Sequence, residues 1–460
     1  MKVKRLAALA LVLSLSFGMC ACGNQPAPQS QPEPGTSSSA SSNASSSASS
    51  GEKIKIVLGT DSYVPETAKA YEKYVLEPMR AKFPDVEIEW QQYKDKSVLK
   101  SQIAGGGGPD IFSLDGPTDA VEYADSDRIL DLTEYSKQFG WKDKFYEWAY
   151  NSCVYKDKLY SLPNSFEGMM MYYNDGIFEK EGWKHPTNVK ELETLMDAAQ
   201  AAGYIPIVFG NAGTPSSTDH WFSTSLSCYA GPEALKNALQ GKAKWTDEPI
   251  RGAINQMVDW WQKGYITKKA SQSISQSDQL AFFADGKAAM MMSGTWFMGD
   301  LTNAYKDVNW SVDIMPSLRD GVEATVPLAV GGCFAVNKNT EKPEKAVEIL
   351  NWMFSDMDAH IASIEKGNLQ AFPVKAFDAG SFSGTVDKRM IDMYGKLDQA
   401  QESNNVGYCA WTFFPTAVRS YMCENTDGIW LGTIEVDTYL NEVQKLSDKA
   451  VAEGKVPQLP

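Results

Sequence analysis

The stretch from residue 53 to residue 114 switches repeatedly between two hydrophobic periods, and this restricts the fold more than any other sequence feature. Apolar residues at every second position, or short apolar runs, predict strands, whereas an apolar stripe at helical spacing predicts a helix. In chain order the segments are strand Lys53–Leu58, helix Pro65–Lys82, strand Val86–Trp90, helix Ser97–Ala104 and strand Pro109–Leu114. Because crossovers between parallel strands are right-handed, the pattern predicts a parallel sheet covered by helices, and the fold class is α/β.

The rest of the chain predicts more than one lobe. Helical patterns recur at Asn188–Ala202, Pro249–Lys263 and Pro343–Phe354. A chain of 460 residues also exceeds what one hydrophobic core usually holds. We therefore expect two or more α/β lobes.

The first 21 residues have the pattern of an export signal. Basic residues precede an apolar run that ends at Met19 and is too short to span a bilayer as a stable helix. Ala21 and Cys22 then resemble the bacterial lipoprotein box, in which a small residue precedes a cysteine that becomes lipidated, although Met19 replaces the usual leucine. The resemblance implies lipidation at Cys22 rather than Cys20, because bulky Met19 precedes Cys20. A plain secretory signal cleaved nearby is the alternative.

Residues 22–52 have the composition of a tether. From Gly23 to Glu52, eleven residues are serine, four are proline, and none is aromatic or a larger aliphatic than alanine. Such a segment buries too little apolar area to offset the entropy of ordering, and as a flexible coil its reach is roughly 30 Å. The signal, the lipid and the tether together predict a folded domain held at the outer face of a bacterial cytoplasmic membrane.

Charge and composition argue against several classes of protein. The 58 acidic and 43 basic residues give a formal net charge of −15, which disfavours nucleic acid because phosphate binding needs a cationic surface. Three histidines in the whole chain argue against a multi-histidine metal site, and no cofactor is expected. Apart from Cys20 and Cys22, five cysteines remain. Buried thiols are the favoured interpretation, and Cys409–Cys423 is the pair we would test as a disulfide.

Several segments resemble the extracellular solute-binding proteins of ABC importers, in the sugar-binding branch that includes maltose-binding protein. They lie between residue 54 and about residue 360, and the match between Phe283 and Trp296 is the most specific. The segments are Gln102–Phe112, Leu162–Pro163, Met171–Trp183, Pro186–Thr187, Phe283–Met290 with Gly294–Trp296, Val330–Asn337 and Pro343–Ala346.

The resemblance implies a type II binding-protein fold, in which two lobes joined by three chain crossings enclose the ligand. The implied crossings lie near Asn164–Gly168, Pro327–Gly332 and Asn368–Val374. Lobe 1 would comprise residues 53–163 plus 333–368, and lobe 2 residues 169–326 plus 374–460. Rotation about such crossings would close the lobes on the ligand.

Three acidic residues are candidates for binding sugar hydroxyls, because ligand contacts are expected at the carboxyl ends of parallel strands. Asp61 follows the first strand, although a helix-capping or turn aspartate is an equal alternative. Asp115 occupies the corresponding place after the third strand, and there we favour ligand contact. Glu167 lies at the first implied crossing, with a solvated charge as the alternative.

Three tryptophans and a glycine complete the candidate site, since a sugar also presents an apolar C–H face that aromatic rings can cover. Trp296 alone would be read as a core residue, but the family resemblance implies a sugar platform. Trp221 lies in a predicted loop rich in glycine, serine and threonine, and Trp411 is a weaker candidate. Gly332, beside Gly331, could bring backbone amides close to a ligand, with a turn pair as the alternative.

The sequence lacks three enzyme motifs: GxSxG, HExxH and GxxxxGK[ST]. Together with the family resemblance and the export signal, this absence predicts a monomeric, lipid-anchored binding protein without catalytic activity. It would capture a carbohydrate, an oligosaccharide in particular, and deliver it to the transmembrane subunits of an ABC permease. A surface-anchored glycoside hydrolase is one alternative, because its two carboxylates need no motif. The other keeps the fold and binds a polyamine or a peptide.

Overall fold

The structure is a computed structural model, and it describes residues 53–213, 215–269, 273–377, 380, 382 and 385–460. The predicted signal peptide, Cys22 and the tether lie outside these residues. Within the described part of the chain, no helix is long and apolar enough to cross a membrane.

Strands alternate with helices along most of the chain. The strands are β1 Ile54–Asp61, β2 Val86–Tyr93, β3 Ile111–Leu114, β4 Val154–Tyr155, β5 Lys158–Leu159, β6 Leu162–Pro163, β7 Phe166–Tyr173, β8 Ile205–Val208, β9 Ala288–Gly294, β10 Ser311–Asp313, β11 Val326–Val330, β12 Cys333–Val336 and β13 Val406–Tyr408.

The helices of the first 240 residues are α1 Pro65–Tyr71, α2 Glu77–Lys82, α3 Lys96–Ala104, α4 Pro117–Asp125, α5 Thr133–Phe139, α6 Trp141–Lys144, α7 Glu147–Ser152, α8 Asp175–Glu181, α9 Val189–Ala201, α10 Asp219–Ser225 and α11 Pro232–Leu239. The later helices are α12 Glu248–Lys263, α13 Gln276–Ala284, α14 Phe297–Ala304, α15 Pro343–Met353, α16 Met357–Gly367, α17 Lys388–Glu402, α18 Ala410–Phe413, α19 Thr416–Trp430 and α20 Val436–Ala452. Short turns of other helix types are Glu72–Leu76, Pro215–Thr218 and Leu226–Ala230.

The first sheet has five strands in the order β2-β1-β3-β12-β6. β1 runs parallel to both β2 and β3, whereas β12 runs antiparallel to β3 and to β6. The alternating pattern of β1 is explained by Ile56 and Leu58, which are buried in the core. The predicted strand–helix–strand–helix–strand start of the α/β fold is confirmed.

The second sheet has the order β13-β11-β7-β9-β8, with β10 paired to the far part of β7. β8 is parallel to β9, and β11 is parallel to β13. β7 runs antiparallel to both β9 and β11. The strands β8, β9, β11 and β13 therefore all run in the same direction. β7 and β9 are buried along their whole length, which explains their continuous apolar runs Met169–Met171 and Met290–Met292.

Short connections join the two sheets edge to edge. Asn164 and Ser165 lead from β6 to β7, and Gly331 and Gly332 lead from β11 back to β12. These connections fall within two of the implied crossings. The fold therefore contains two sheet-containing lobes, while the residue limits given above for each lobe remain a prediction.

The five cysteines of the described residues are buried, and none of them forms a disulfide. Cys409 and Cys423 therefore do not form a disulfide. The structure agrees with the interpretation that the cysteines are buried thiols, which pack as small apolar side chains.

Candidate ligand-binding site

The directions of the strands place one edge of the first sheet opposite one edge of the second sheet. β1, β3 and β6 end, and β12 begins, at one edge of the first sheet. β8, β9, β11 and β13 end, and β7 begins, at one edge of the second sheet. Because two-residue connections join these edges, the side chains that follow the strands converge on one region.

Asp61 and Asp115 lie together at the edge of the first sheet and share one cation. The Lys96 ammonium contacts Asp61 Oδ1 and lies 3.1 Å from Asp115 Oδ1. The Ser113 hydroxyl donates to Asp61 Oδ2 at 3.3 Å. The two aspartate side chains are 43% and 42% exposed, so they remain open to solvent on one side. Desolvation raises the pKa of Asp61, the Lys96 charge opposes this, and the Asp115 carboxylate adds to it.

The capping alternative for Asp61 is not what the structure shows. The following helix, α1, has Val64 as its N-cap residue, without a side-chain capping hydrogen bond. Lys96 was missed from the sequence, although it is the first residue of α3, the helix that follows β2. The strand-end rule that identified Asp61 and Asp115 applies equally to β2.

Glu167 is buried where the two sheets connect. Its side chain accepts a hydrogen bond from Gln370 Nε2 at 2.6 Å. A Cβ atom on Gly331 would lie 1.7 Å from the Glu167 carboxyl carbon, so any larger residue there would displace this carboxyl group. Only 6% of Glu167 is exposed, which argues against a solvated charge.

Burial governs the ionisation of Glu167. Desolvation raises its pKa to about 7, and hydrogen bonds from Gln370 and Ser165 oppose the shift. The charges of Asp61 and Asp115 raise this pKa further, so the three carboxyls act on one another. Gln370 lies in the third implied crossing, and the sequence carried no signal for its role.

The backbone amide and carbonyl of Gly332 are both hydrogen-bonded within the protein. Its amide donates to Ser165 Oγ at 2.8 Å, and its carbonyl accepts from the Asn164 amide at 2.9 Å. The Gly331 amide donates to the Ser165 carbonyl at 3.2 Å. The amides of Gly331 and Gly332 therefore donate within the connection, and contact between Gly332 and a ligand stays a prediction.

Three aromatic rings meet at the edge of the second sheet. Trp296 follows β9, Trp411 lies in α18 after β13, and His220 lies in α10 after β8. The His220 ring centroid is 4.9 Å from that of Trp296 and 5.6 Å from that of Trp411. The two tryptophans are 6.0 Å apart with an interplanar angle of 74°. We call these three residues the aromatic cluster.

The aromatic cluster touches the helix that follows the acidic edge. Thr118, in α4, donates through its hydroxyl to the Trp411 carbonyl at 2.9 Å. Trp296 is half-buried, and its indole nitrogen is buried without a hydrogen-bond partner among the described residues. Trp411 is 4% exposed. Two of the three tryptophans chosen from the sequence therefore lie in contact with each other.

Trp221 does not join the aromatic cluster. It is fully buried, and its ring packs edge-to-face against Phe209 at 6.2 Å and Trp260 at 6.4 Å. The segment expected to be a loop is helical from Asp219, so neighbouring side chains point in directions about 100° apart. His220 faces Trp296 and Trp411, and Trp221 faces the core. We therefore no longer assign Trp221 to the site.

A buried arginine links the segments around the cluster. Arg419 of α19 lies 2.7 Å from Asp119 Oδ1 in α4 and 3.0 Å from Asp219 Oδ2 in α10. Burial raises the pKa of Asp219 to about 7, and the Arg419 charge opposes the shift. Sequence reasoning missed this group, because its members are separated by up to 300 residues.

The described residues contain no cluster of three or more metal-ligating side chains. Two surface cavities of about 520 and 590 Å³ are lined by other residues, including Arg389 and Lys396 in one and Phe83 and Trp352 in the other. The candidate site is defined by the side chains that converge at the strand ends, and these two cavities lie elsewhere.

The fold and the converging strand ends define a two-lobed binding protein. Residues 66–409 match the bacterial extracellular solute-binding protein family. The chain belongs to this family.

Two of the proteins that this chain resembles are named for the sugars they bind. The chain is 23% identical over 380 residues to the diacetylchitobiose binding protein NgcE of Streptomyces coelicolor, covering 78% of this chain and 77% of the relative. It is 24% identical over 310 residues to the maltodextrin-binding protein MdxE of Bacillus subtilis, covering 65% and 69%.

Solved structures share the fold. A chitin oligosaccharide binding protein superposes with a TM-score of 0.73 at 22% identity, covering 87% of this chain and all of that one. The maltodextrin-binding domain MalE from Bdellovibrio bacteriovorus, bound to maltotriose, superposes with a TM-score of 0.66 at 16% identity, with coverage of 87% and 100%.

Proposed function

We propose that this protein is the carbohydrate-binding component of an ABC importer, with an oligosaccharide as its ligand. The observation that carries the proposal is that the aromatic cluster contacts α4, the helix that follows Asp115, through the hydrogen bond from the Thr118 hydroxyl to the Trp411 carbonyl. Rings suit the C–H face of a sugar, and solvent-open carboxylates suit its hydroxyls. Relatives named for diacetylchitobiose and maltodextrin support the same ligand class.

We further propose that the protein binds its ligand without transforming it. Lys96 holds Asp61 and Asp115 as a charged pair, and Gln370 and Ser165 hold Glu167. The matching family and the relatives NgcE and MdxE are named for binding rather than for hydrolysis, which supports this proposal.

The direct test is calorimetry of the purified mature protein against a ligand panel. Maltotriose, N,N′-diacetylchitobiose, raffinose and xylobiose represent sugars, while spermidine and a tripeptide represent the alternatives. We expect at least one sugar to bind and to be recovered intact by chromatography after incubation. Cleavage of the sugar would favour the hydrolase, and binding of spermidine or peptide alone would overturn the carbohydrate proposal.

Membrane attachment belongs to the same proposal. An exported, monomeric protein with a lipid on Cys22 and a tether over residues 22–52 would stay close to a permease in the membrane. Cys22→Ser should release it into the medium and abolish acyl labelling, with Cys20→Ser as the matched control. Loss of the lipid in the Cys20 variant would show that the wrong cysteine had been assigned.

A further inference from the structure

The imidazole of His220 is almost completely buried, and its Nδ1 has no hydrogen-bond partner among the described residues. The residue is 7% exposed, and Nδ1 is buried without a partner. Nε2 lies 3.7 Å from Asp219 Oδ1, beyond hydrogen-bonding distance. Buried polar atoms are normally paired, so an exception in a folded protein calls for an explanation.

The other buried histidine provides a comparison within the same chain. His360 is 3% exposed and stacks on Phe372 with ring centroids 4.0 Å apart. Its Nδ1 also lacks a partner, but its Nε2 accepts a hydrogen bond from the Phe372 amide at 3.1 Å. Nε2 of His360 is therefore hydrogen-bonded within the fold, whereas Nε2 of His220 lies beside the Asp219 carboxylate but beyond hydrogen-bonding distance.

The position of His220 suggests what its nitrogens are for. Its ring touches Trp296, whose indole nitrogen is also buried and unpartnered, so two polar atoms of one cluster have no hydrogen bond in the described protein. Burial and the nearby Arg419 charge lower the pKa of His220 to about 3, which leaves a neutral ring with one donor and one acceptor. Such a ring suits a neutral polar group, such as a hydroxyl or an amide, better than an ion.

We propose that His220 is a specificity-determining residue of the sugar site, and that its Nδ1 hydrogen-bonds a hydroxyl or amide on the sugar unit that lies against Trp296. The inference rests on the proposed carbohydrate-binding function. The hydrogen bond from or to His220 Nδ1 would give the aromatic cluster a directional polar contact, which the two tryptophan faces alone would not supply. Ligands with the same ring but without that polar group should be rejected.

The experiment uses the mature chain and the tightest-binding sugar among maltotriose, N,N′-diacetylchitobiose, raffinose and xylobiose. His220→Phe keeps an aromatic ring and removes both nitrogens, and we expect affinity to fall roughly tenfold to a hundredfold. His220→Asn places an amide near the position of Nδ1 and should recover part of that loss. The melting temperature of ligand-free His220→Phe should equal or exceed that of the wild type, because no protein hydrogen bond is removed.

The control variant is Trp221→Phe, which alters the adjacent core residue. It should lower the melting temperature and leave the affinity of the folded protein unchanged. Unchanged affinity in His220→Phe, or a melting temperature well below the wild type, would overturn the inference while leaving the carbohydrate proposal intact. If none of the four sugars binds the wild type, the carbohydrate proposal fails, and the inference about His220 fails with it.

Discussion

The two strand edges that meet at the site differ in chemistry and in exposure. The edge of the first sheet presents Asp61 and Asp115, each more than two-fifths exposed and held by Lys96. The edge of the second sheet presents Trp411 and His220, which are 4% and 7% exposed. The first edge therefore offers solvated oxygen atoms, and the second offers a desolvated aromatic surface. In the proposed function, the first edge would supply the polar contacts to a sugar and the second edge its apolar surface.

The cations near the two edges also differ in their exposure to solvent. Lys96 bridges two aspartates with 29% of its side chain exposed, whereas Arg419 bridges Asp119 and Asp219 with only 10% exposed. Solvent can replace the contacts of Lys96 but has little access to those of Arg419. We therefore expect the second edge to depend on its cation for stability and the first edge to use its cation for ligand binding.

The largest effect should come from removing the buried cation. Arg419→Leu leaves Asp219 buried without its partner, and breaking such a pair costs about 3–5 kcal/mol of folding free energy. The readout is the melting temperature of the ligand-free protein. Arg251→Leu, which removes an arginine with 28% of its side chain exposed, is the control and should cause a smaller decrease. Equal decreases would contradict the contrast between the two cations.

Removing the aromatic platform should produce the next largest effect. Trp296→Ala is expected to weaken sugar binding by roughly 2–4 kcal/mol, because both apolar contact and a fixed surface are lost. Calorimetric affinity and the ligand-free melting temperature should be measured on the same preparation. A variant that melts far below the wild type would make Trp296 a packing residue. Asp115→Asn should weaken binding less, and the reverse order would overturn the proposed division between the two edges.

Glu167 lies between the two edges and should make stability depend on pH. Its pKa in the folded protein is raised to about 7, so the folded state binds a proton more tightly than the unfolded chain. Its stabilising contribution is therefore complete below about pH 4.5 and is lost as pH rises to about 7, with an upper limit of about 3 kcal/mol. Asp219, with its pKa also near 7, should act in the same direction.

The test is the melting temperature between pH 4.5 and 8 for the wild type and Glu167→Gln. Because the amide does not titrate, the variant should show a smaller decline in melting temperature with rising pH. If the melting temperatures of the two proteins decline equally with rising pH, the titration of Glu167 does not cause the pH dependence of stability.

The first edge could be predicted from the sequence more completely than the second. β1 and β3 have clear hydrophobic patterns, and parallel pairing brings Asp61 and Asp115 to the same edge without further information. At the second edge, the choice between His220 and Trp221 depends on the rotation of a short buried helix. All seven residues of α10 are buried, so hydrophobic periodicity could not indicate which side chain faces the cluster.

Contacts between distant segments could not be predicted from local patterns. Arg419 reads as an ordinary polar residue of an amphipathic helix, and its role depends on Asp119, which is 300 residues away. Gln370 acquires its role only because the third connection passes beside Glu167. Such groups are defined by tertiary packing, and a single sequence contains no periodic signal for them.

The smallest effect on stability should come from Lys96→Met, which sharpens the contrast with Arg419. The ion pairs are partly exposed, so folding should lose less than about 1 kcal/mol. The affinity for sugar should change more than the folding free energy. Without Lys96, Asp61 and Asp115 would repel each other, and the already raised pKa of Asp61 would rise further. We expect weaker sugar binding, with the affinity falling further as the pH is lowered. Lys100→Met is a matched control, since Lys100 lies one turn further along α3 and pairs with Glu122 at 2.7 Å with 64% of its side chain exposed. If both variants bind like the wild type, Lys96 has no part in organising the acidic edge.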